Sequence, residues 1–248
     1  MRKKLTVILL ILLVLVSYLF YTHHYIYKKI GQGHLPLVDE THNYVIGNNQ
    51  DSQEKITYAA IGDSLTAGAG TFCYEDSFPF RLANEISQEG KVVNLQVFAY
   101  PGARANNLIE DLLEPAIASQ PDIVTLLIGT NDMHGFIGLD EFEKNYRYIL
   151  NNLTSRTKAK IYLISVPFIG SDKLFIEPWL TYFDRETPRY NQVVEKLARE
   201  YNLKYIDIAT PTATKFRQSG THYSVDLFHP SAEGYELWLK IIYDEINR

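Results

Sequence analysis

The stretch Ile123-Val-Thr-Leu-Leu-Ile128, followed at once by Gly129-Thr130-Asn131-Asp132, contains the clearest strand of this sequence. Its six residues do not alternate between polar and apolar, which is typical of a strand buried on both faces of a parallel sheet. Five strand-like runs occur along the chain, and each is followed by a segment of helical character. The runs are residues 56–61, 92–99, 123–128, 160–166 and 204–208, and the helical segments are residues 77–89, 104–119, 139–155, 187–202 and 231–246. This order predicts an α/β protein whose five-stranded parallel sheet is covered by helices on both faces, because parallel neighbours need crossover connections.

Composition excludes several classes of protein. The chain has 248 residues, of which 46% are apolar and 21% charged, so it is neither collagen-like nor disordered. Five of its 24 basic residues precede residue 31, where no acid occurs, so residues 31–248 carry a net charge of −10. Such a surface argues against nucleic-acid binding, which needs clustered Lys and Arg. The single cysteine, Cys73, excludes an internal disulfide and a cysteine-based zinc site.

The amino end has the composition of a membrane-spanning helix. Residues 5–27 contain no Asp, Glu, Lys or Arg, and a helix of this length covers roughly 34 Å, enough for a hydrocarbon layer of about 30 Å. Arg2, Lys3 and Lys4 predict that this end stays in the cytoplasm. We therefore expect a membrane anchor over residues 1–30 and a polar tether over residues 31–55.

Two alternatives to an anchor remain open at this stage. A cleaved secretory signal needs small residues near its cleavage site, and Gly31-Gln32-Gly33 is the candidate that the sequence offers. A buried helix of a soluble protein is the other alternative. An anchor or a cleaved signal would both place the rest of the chain outside the cytoplasm, either on the cell membrane or secreted.

One segment interrupts the alternation of strands and helices. Residues 168–187 are too many for an ordinary strand-to-helix connection, and they include Phe175 and Trp179. Loops at the carboxyl ends of parallel strands build the binding crevice, so these aromatic side chains are candidates for substrate binding. A surface insertion whose aromatic residues pack onto the domain is an equally good interpretation.

A candidate nucleophile follows the first strand-like run. Gly62-Asp63-Ser64 places a serine where the backbone turns at the carboxyl edge of the sheet. A serine that only caps a helix is the alternative interpretation. The Gly-x-Ser-x-Gly pattern of α/β-hydrolases is absent. A serine hydroxyl also needs a histidine to take its proton and a carboxylate to orient that histidine.

His229 is the best candidate among seven histidines. Asp226-Leu-Phe-His229-Pro230 lies just before the last predicted helix, and Pro230 disfavours a helical backbone at His229. A carboxylate three residues before an imidazole in such a turn can bond Nδ1 and leave Nε2 for the serine. Ser231 is the expected cap of the following helix. His134 is interpreted as a polar loop residue that could line a pocket.

Two further loops carry candidate hydrogen-bond donors. Asn131 follows the third strand, where its side-chain amide could bind an oxyanion, and Gly102 follows the second, where its main-chain N–H could do the same. A turn or cap is the ordinary explanation of each. Because the carboxyl ends of parallel strands share one edge, Ser64, Gly102, Asn131 and His229 can face one cavity.

Together these motifs resemble those of the SGNH/GDSL hydrolase family of serine esterases and lipases, over about residues 56–247. The resemblance implies a flavodoxin-like three-layer α/β/α sandwich over residues 56–248. It also implies that Ser64 is the nucleophile, His229 the general base and later acid, and Asp226 the residue that orients His229. The oxyanion hole would consist of the N–H groups of Ser64 and Gly102 and the amide of Asn131. Neither a metal nor an organic cofactor is expected.

The implied reaction is cleavage of a carboxylic ester through an acyl-enzyme. The apolar amino end and the aromatic insertion indicate either lipid esters or acylated cell-envelope glycans as substrates, with the bilayer as a partner. The resemblance to membrane-attached bacterial lipase/acylhydrolases favours lipids. An acyltransferase and a non-catalytic binding module on the same fold remain as alternatives.

Overall fold

The computed structural model describes residues 2–36, 43–47, 54–168, 170–218 and 220–248. Its centre is a six-stranded β-sheet. The strands are β1 (Asn43–Ile46), β2 (Lys55–Gly62), β3 (Val92–Ala99), β4 (Ile123–Leu127), β5 (Lys160–Ile164) and β6 (Lys204–Ile206). Each of the five predicted strand-like runs forms a strand.

The strand order is β1-β3-β2-β4-β5-β6, with β2 to β6 parallel. The order of the five parallel strands is that of flavodoxin-like folds, so the predicted fold class is confirmed. Chain order reverses between β2 and β4, which places the loops after these two strands on either side of the switch point where such sheets bind ligands.

The predicted number of five strands is wrong, because β1 adds a sixth strand at the edge. It pairs antiparallel with β3 and lies inside the stretch that the sequence suggested to be a tether. Its four residues are half-buried or exposed in alternation, and the ring of Tyr44 stacks on Tyr74 with centroids 5.0 Å apart. A strand this short among polar residues has too weak a period to be detected in the sequence.

Helices cover both faces of this sheet. They are α1 (Arg2–Ile30), α2 (Phe78–Gln88), α3 (Ala105–Asn107), α4 (Leu113–Ala118), α5 (Thr130–His134), α6 (Leu139–Arg156), α7 (Trp179–Glu200), α8 (Ala209–Gln218) and α9 (Ala232–Ile246). On one face α2 packs against α9, and on the other α6 packs against α4 and α7. The sheet interior is apolar, with β4 residues Val124, Leu126 and Leu127 fully buried.

Three helical features differ from the sequence-based expectation. The segment predicted over residues 104–119 is interrupted between α3 and α4 by a π-helical turn, Leu108–Leu112. The helix α7 begins eight residues before the predicted start and contains Pro188 in its interior. Two short helices, α5 and α8, were not predicted.

The helix α1 is long and apolar enough to cross a membrane, and a signal sequence has the same properties. Its side chains are exposed up to Tyr21, whereas Thr22 and Ile26 are buried against the rest of the protein. The indole Nε1 of Trp179 donates a hydrogen bond of 2.8 Å to Oγ1 of Thr22. The last part of α1 is therefore packed on the α/β domain.

Candidate active site

Ser64 lies in a tight turn at the carboxyl end of β2. The carboxylate of the preceding Asp63 accepts a 2.9 Å hydrogen bond from the N–H of Leu65, and the Asp63 carbonyl accepts from Thr66 and Ala67. These hydrogen bonds close the turn that contains Ser64. Ser64 is 5% exposed, so its side chain is almost fully buried.

His229 and Asp226 lie in the loop before α9. The Nδ1 atom of His229 is 2.6 Å from Oδ2 of Asp226. The other carboxylate oxygen, Oδ1, accepts hydrogen bonds from the hydroxyl of Ser224 (2.6 Å) and from the N–H groups of Phe228 (2.9 Å) and His229 (3.0 Å). A left-handed backbone at Leu227 (φ +61°) curls the loop around this carboxylate.

The cap of α9 fixes the far end of the same loop. The hydroxyl of Ser231 accepts a hydrogen bond from the N–H of Gly234, as the sequence predicted for this residue. Behind the loop, the N–H of Ser224 donates to the carbonyl of His229 at 2.8 Å. The imidazole is thus attached to a backbone that is held on both sides.

The environment of Asp226 favours the ionised carboxylate. Full burial by itself raises its pKa, but the hydrogen bonds from His229, Ser224 and Phe228 and the charge of His229 outweigh burial and lower the pKa below its ordinary value. A carboxylate that stays ionised accepts from Nδ1–H and so leaves Nε2 without a proton.

The structure brings Ser64 and His229 together across 165 positions of sequence. The Oγ atom of Ser64 is 3.0 Å from Nε2 of His229, which is hydrogen-bonding distance for a proton transfer. The Ser64 hydroxyl, the His229 imidazole and the Asp226 carboxylate are therefore linked by consecutive hydrogen-bonding contacts. Such a chain can remove the proton of the hydroxyl as it attacks a carbonyl.

Two main-chain N–H groups lie at the same edge of the sheet. Neither the N–H of Ser64 nor that of Gly102 donates to an acceptor in the part of the chain that the structure describes. Gly102 occupies the third position of a turn that the N–H of Ala103 closes on the Tyr100 carbonyl (3.3 Å), and its φ of +85° suits glycine. These groups can accept a developing negative charge.

Asn131 is presented by the first turn of α5. Its Nδ2 donates to the carbonyl of Ala103 at 3.0 Å and makes a long contact of 3.5 Å with Oδ2 of Asp63. One amide hydrogen is thus committed to the loop that carries Gly102, and the other is held only weakly. The weakly held hydrogen is the one that could turn to a substrate oxygen.

Two buried carboxyl groups support this arrangement. Burial, and to a lesser extent the charge of Asp132, raises the pKa of Asp63 to about 7. Burial likewise raises the pKa of Asp132 to about 6, although the N–H of Ala105 donates to its carboxyl oxygens at 3.0 and 3.3 Å. Asp132 thereby ties the start of α3 to α5, and so holds Gly102 close to Asn131.

A cavity of about 420 Å³ opens beside the candidate oxyanion donors. It is lined by Gly102, Arg104, Asn131, His134, Gly135, Phe136 and Phe228 of the α/β domain and by His23, Tyr27 and Ile30 of α1. A larger cavity, of about 550 Å³, lies between α7 and α8 and includes none of the residues named above for catalysis. The smaller cavity is therefore the better candidate for a substrate site.

Phe175 and Trp179, the predicted substrate-binding residues, do not line this cavity. Phe175 is 1% exposed and packs behind the lining residues, with ring centroids 5.7 Å from His134 and 6.3 Å from Phe228. Trp179 contacts α1, with its ring 5.8 Å from that of His23. His134, which the sequence suggested could line a pocket, does so.

Sequence reasoning missed the contribution of α1 and the supporting roles of Ser224 and Asp132. Ser224 lies two residues before Asp226, so its position in the same turn was a usable signal. Nothing in the sequence connects residues 23–30 with residues 102–136. No group of three His, Cys, Asp or Glu side chains suited to a metal ion occurs among the described residues.

A serine hydroxyl that contacts a histidine, which in turn contacts an aspartate, is an arrangement typical of serine hydrolases. Comparison with known proteins supports this class: the sequence profile of the GDSL-like lipase/acylhydrolase family matches residues 60–237. The chain belongs to that family and is an ester-hydrolysing serine hydrolase. The resemblance seen in the sequence motifs is confirmed.

A relative agrees with this assignment, and solved structures share the fold. A spore germination lipase of Bacillus licheniformis, LipC, is 27% identical over 199 residues, which cover 73% of this chain and 92% of LipC. A lipase/acylhydrolase from Enterococcus faecalis superposes with a TM-score of 0.62 and 24% identity, covering 77% of this chain and 95% of the other. Axe2, an acetylxylan esterase from Geobacillus stearothermophilus, gives a TM-score of 0.60 with 22% identity over 79% of this chain and 95% of its own.

Proposed function

We propose that this protein cleaves carboxylic esters with Ser64 as nucleophile, His229 as general base and acid, and Asp226 as the group that orients His229. The observation that carries the proposal is the continuous chain of contacts, 3.0 Å from Ser64 Oγ to His229 Nε2 and 2.6 Å from His229 Nδ1 to Asp226 Oδ2. In this arrangement Asp226 orients the imidazole, and the imidazole can take the proton of the Ser64 hydroxyl.

In the first step, Ser64 Oγ attacks the ester carbonyl while Nε2 of His229 takes the hydroxyl proton. The carbonyl oxygen becomes an oxyanion that accepts hydrogen bonds from the N–H groups of Ser64 and Gly102 and from the amide of Asn131. The intermediate then collapses: the bond to the alkoxy group breaks, and His229 gives its proton to the departing alcohol.

In the second step, water attacks the acyl-enzyme and His229 again takes the proton. The tetrahedral intermediate releases the carboxylic acid, and the proton returns to Ser64 Oγ. One ester and one water thus yield one acid and one alcohol. None of these steps needs a redox change.

We propose lipid esters or acylated cell-envelope glycans as the substrates. A relative named as a lipase and a structural neighbour named as an acetylxylan esterase support these two classes. The apolar helix α1 supports an anchor in the cell membrane, with the α/β domain on the extracytoplasmic side because Arg2, Lys3 and Lys4 precede the helix.

The decisive experiment uses the full chain in detergent with p-nitrophenyl esters of increasing acyl length and with a fluorophosphonate probe. The Ser64→Ala variant should lose at least about 1,000-fold in kcat and all labelling, because the nucleophile is gone. Ser155→Ala, a change at an exposed serine of α6, is the matched control and should behave as wild type. Equal rates for Ser64→Ala and wild type would refute the nucleophile assignment.

A further inference from the structure

The last turns of α1 form one side of the cavity beside Gly102 and Asn131. His23, Tyr27 and Ile30 are spaced four and three residues apart, so they lie on one face of the helix. The rings of His23 and Tyr27 are in contact, with centroids 4.5 Å apart. Together they form an aromatic and apolar wall on the side of the cavity that α1 closes.

Hydrogen bonds fix the rotation of α1 about its own axis. Besides the bond from Trp179 to Thr22, the hydroxyl of Tyr18 donates to the carbonyl of Glu177 at 2.9 Å. The hydroxyl of Tyr27 makes a longer bond of 3.4 Å to the carbonyl of His134. These contacts, at three levels of the helix, keep the same face of α1 turned towards the cavity.

The apolar part of α1 ends where the cavity begins. Residues 5–21 are exposed, although Tyr18 already contacts Glu177, and at 1.5 Å per residue they cover about 25 Å, close to a hydrocarbon layer of about 30 Å. His23, the first residue to line the cavity, follows this section after Thr22. In a membrane, the cavity would open at the level of the lipid head groups.

Residues 31–36, which follow α1, fix the position of the active site relative to the end of this helix. The carbonyl of His34 accepts a 2.8 Å hydrogen bond from the N–H of Gly70, and Pro36 is buried. Gly33 lies against the side chain of Asp226. Residues 31–36 therefore pack on the loops that follow Ser64 and contain Asp226. The distance between the apolar helix and the active site is fixed by these contacts.

We propose that His23, Tyr27 and Ile30 form one wall of the substrate pocket, and that the substrate is a lipid of the surrounding bilayer whose ester carbonyl lies at head-group level. The inference rests on the proposed esterase function and on an uncleaved α1. The acyl chain stays beside the apolar helix while the carbonyl reaches Ser64, so the lipid need not leave the bilayer. Helix α1 is then part of the binding site as well as an anchor.

The test compares two substrates with the full chain reconstituted into vesicles of phosphatidylcholine and phosphatidylglycerol. One substrate is a phosphatidylglycerol with a fluorogenic acyl chain in the bilayer, and the other is soluble p-nitrophenyl butyrate. His23→Ala and Tyr27→Ala change the wall, while His24→Ala and Tyr25→Ala make the same changes at neighbours that do not line the cavity. Fluorophosphonate labelling of each variant verifies that the site is assembled.

We expect wild type to cleave both substrates. The ratio of kcat/KM for the lipid to that for the soluble ester should fall at least about fivefold in His23→Ala and Tyr27→Ala and remain within twofold of wild type in the two controls. An unchanged ratio in the wall variants, an equal fall in the controls, or a wild type that cleaves only the soluble ester would overturn the inference and leave the proposed function standing. A wild type without labelling or activity on either substrate would overturn both.

Discussion

Gly33 lies directly against the carboxylate of Asp226, so that a Cβ atom at residue 33 would overlap Oδ2 of Asp226. This oxygen is the one that accepts from Nδ1 of His229. The segment after α1 therefore covers the proposed triad on the side of the carboxylate. Any side chain at residue 33 must displace either this segment or Asp226.

We expect Gly33→Ala to lower kcat by about 10- to 100-fold, because a small displacement of a catalytic group has an effect of this order. Gly31→Ala is the matched control, since a Cβ there would lie 3.4 Å from the Tyr27 carbonyl oxygen, an ordinary contact. Steady-state kinetics with a soluble ester measures both variants, and thermal unfolding in detergent verifies that each is folded. Equal activity of the two variants would contradict a close contact between Gly33 and Asp226.

The second prediction concerns the charge of Asp226. Asp226→Asn retains the shape of the side chain but can place an amide N–H opposite Nδ1 of His229, which favours the tautomer that carries its proton on Nε2. We expect a loss of about 1,000- to 10,000-fold in kcat. Ser224→Ala removes only one of the hydrogen bonds to Oδ1 and should cost less than about tenfold. A loss in Ser224→Ala as large as that in Asp226→Asn would contradict this division of roles.

The sequence was sufficient to predict the parts of the candidate site whose position local chemistry determines. Ser64 and Asn131 follow apolar strands, and Pro230 marks the turn that presents His229, so strand ends and a proline located them. The contact between Gly33 and Asp226 joins residues almost 200 positions apart. No period or motif encodes such a contact, because it depends on how α1 packs on the finished domain.

The third prediction is a pH dependence of stability. Burial raises the pKa of Asp63 to about 7 in the folded state, whereas an unfolded chain releases this proton near pH 4. The folded state therefore binds the proton more tightly, and the free energy of unfolding falls as pH rises from about 4 to about 7, by at most about 1.4 kcal/mol per pH unit. In the Asp63→Asn variant residue 63 does not titrate, so this decrease in the free energy of unfolding should be absent.

Urea unfolding of wild type and Asp63→Asn at several pH values measures the effect. The difference in free energy of unfolding, variant minus wild type, should increase steadily from pH 4 to pH 7. Asp244→Asn, at an exposed residue of α9, is the control and should show a constant difference. A constant difference for Asp63→Asn as well would show that the carboxyl of Asp63 is not perturbed by burial.

The fourth prediction is also a pH dependence of stability, but here the free energy of unfolding falls as pH falls. Burial, with a smaller effect from the charge of His229, lowers the pKa of His134 to about 3, and Nε2 of His134 has no partner among the described residues. The unfolded chain gains this proton below about pH 6.5, so stability is lost as pH falls from about 6.5 to about 3. His134→Phe should lose less stability over this interval because phenylalanine does not titrate, and its ring can keep the stacking on Phe183, whose centroid is 4.0 Å from that of the imidazole. A parallel decline in wild type and variant would contradict a buried, neutral His134.

The last prediction concerns the fate of α1. Cleavage after Gly33 would remove both the wall of the cavity and the contact with Asp226, so we expect the mature protein to retain its amino end. Cys73 is the single cysteine and is exposed, which makes it a natural probe of topology. The hydrogen bond to Asp76, first among several causes, raises the pKa of its thiol, so labelling needs mildly alkaline buffer.

In intact cells from which any outer layers have been removed, a membrane-impermeant maleimide should label Cys73 in the membrane fraction at the mass of the full chain. Cys73→Ser provides the background. Labelling only after the cells are lysed would place the domain in the cytoplasm, and a labelled protein that begins at His34 would mean that α1 is a signal sequence. The second result would remove α1 from the working enzyme, and the first would reverse its direction in the bilayer, whereas a site built from His23, Tyr27 and Ile30 in an outward-facing membrane protein requires a helix that remains attached and spans the bilayer in the proposed direction.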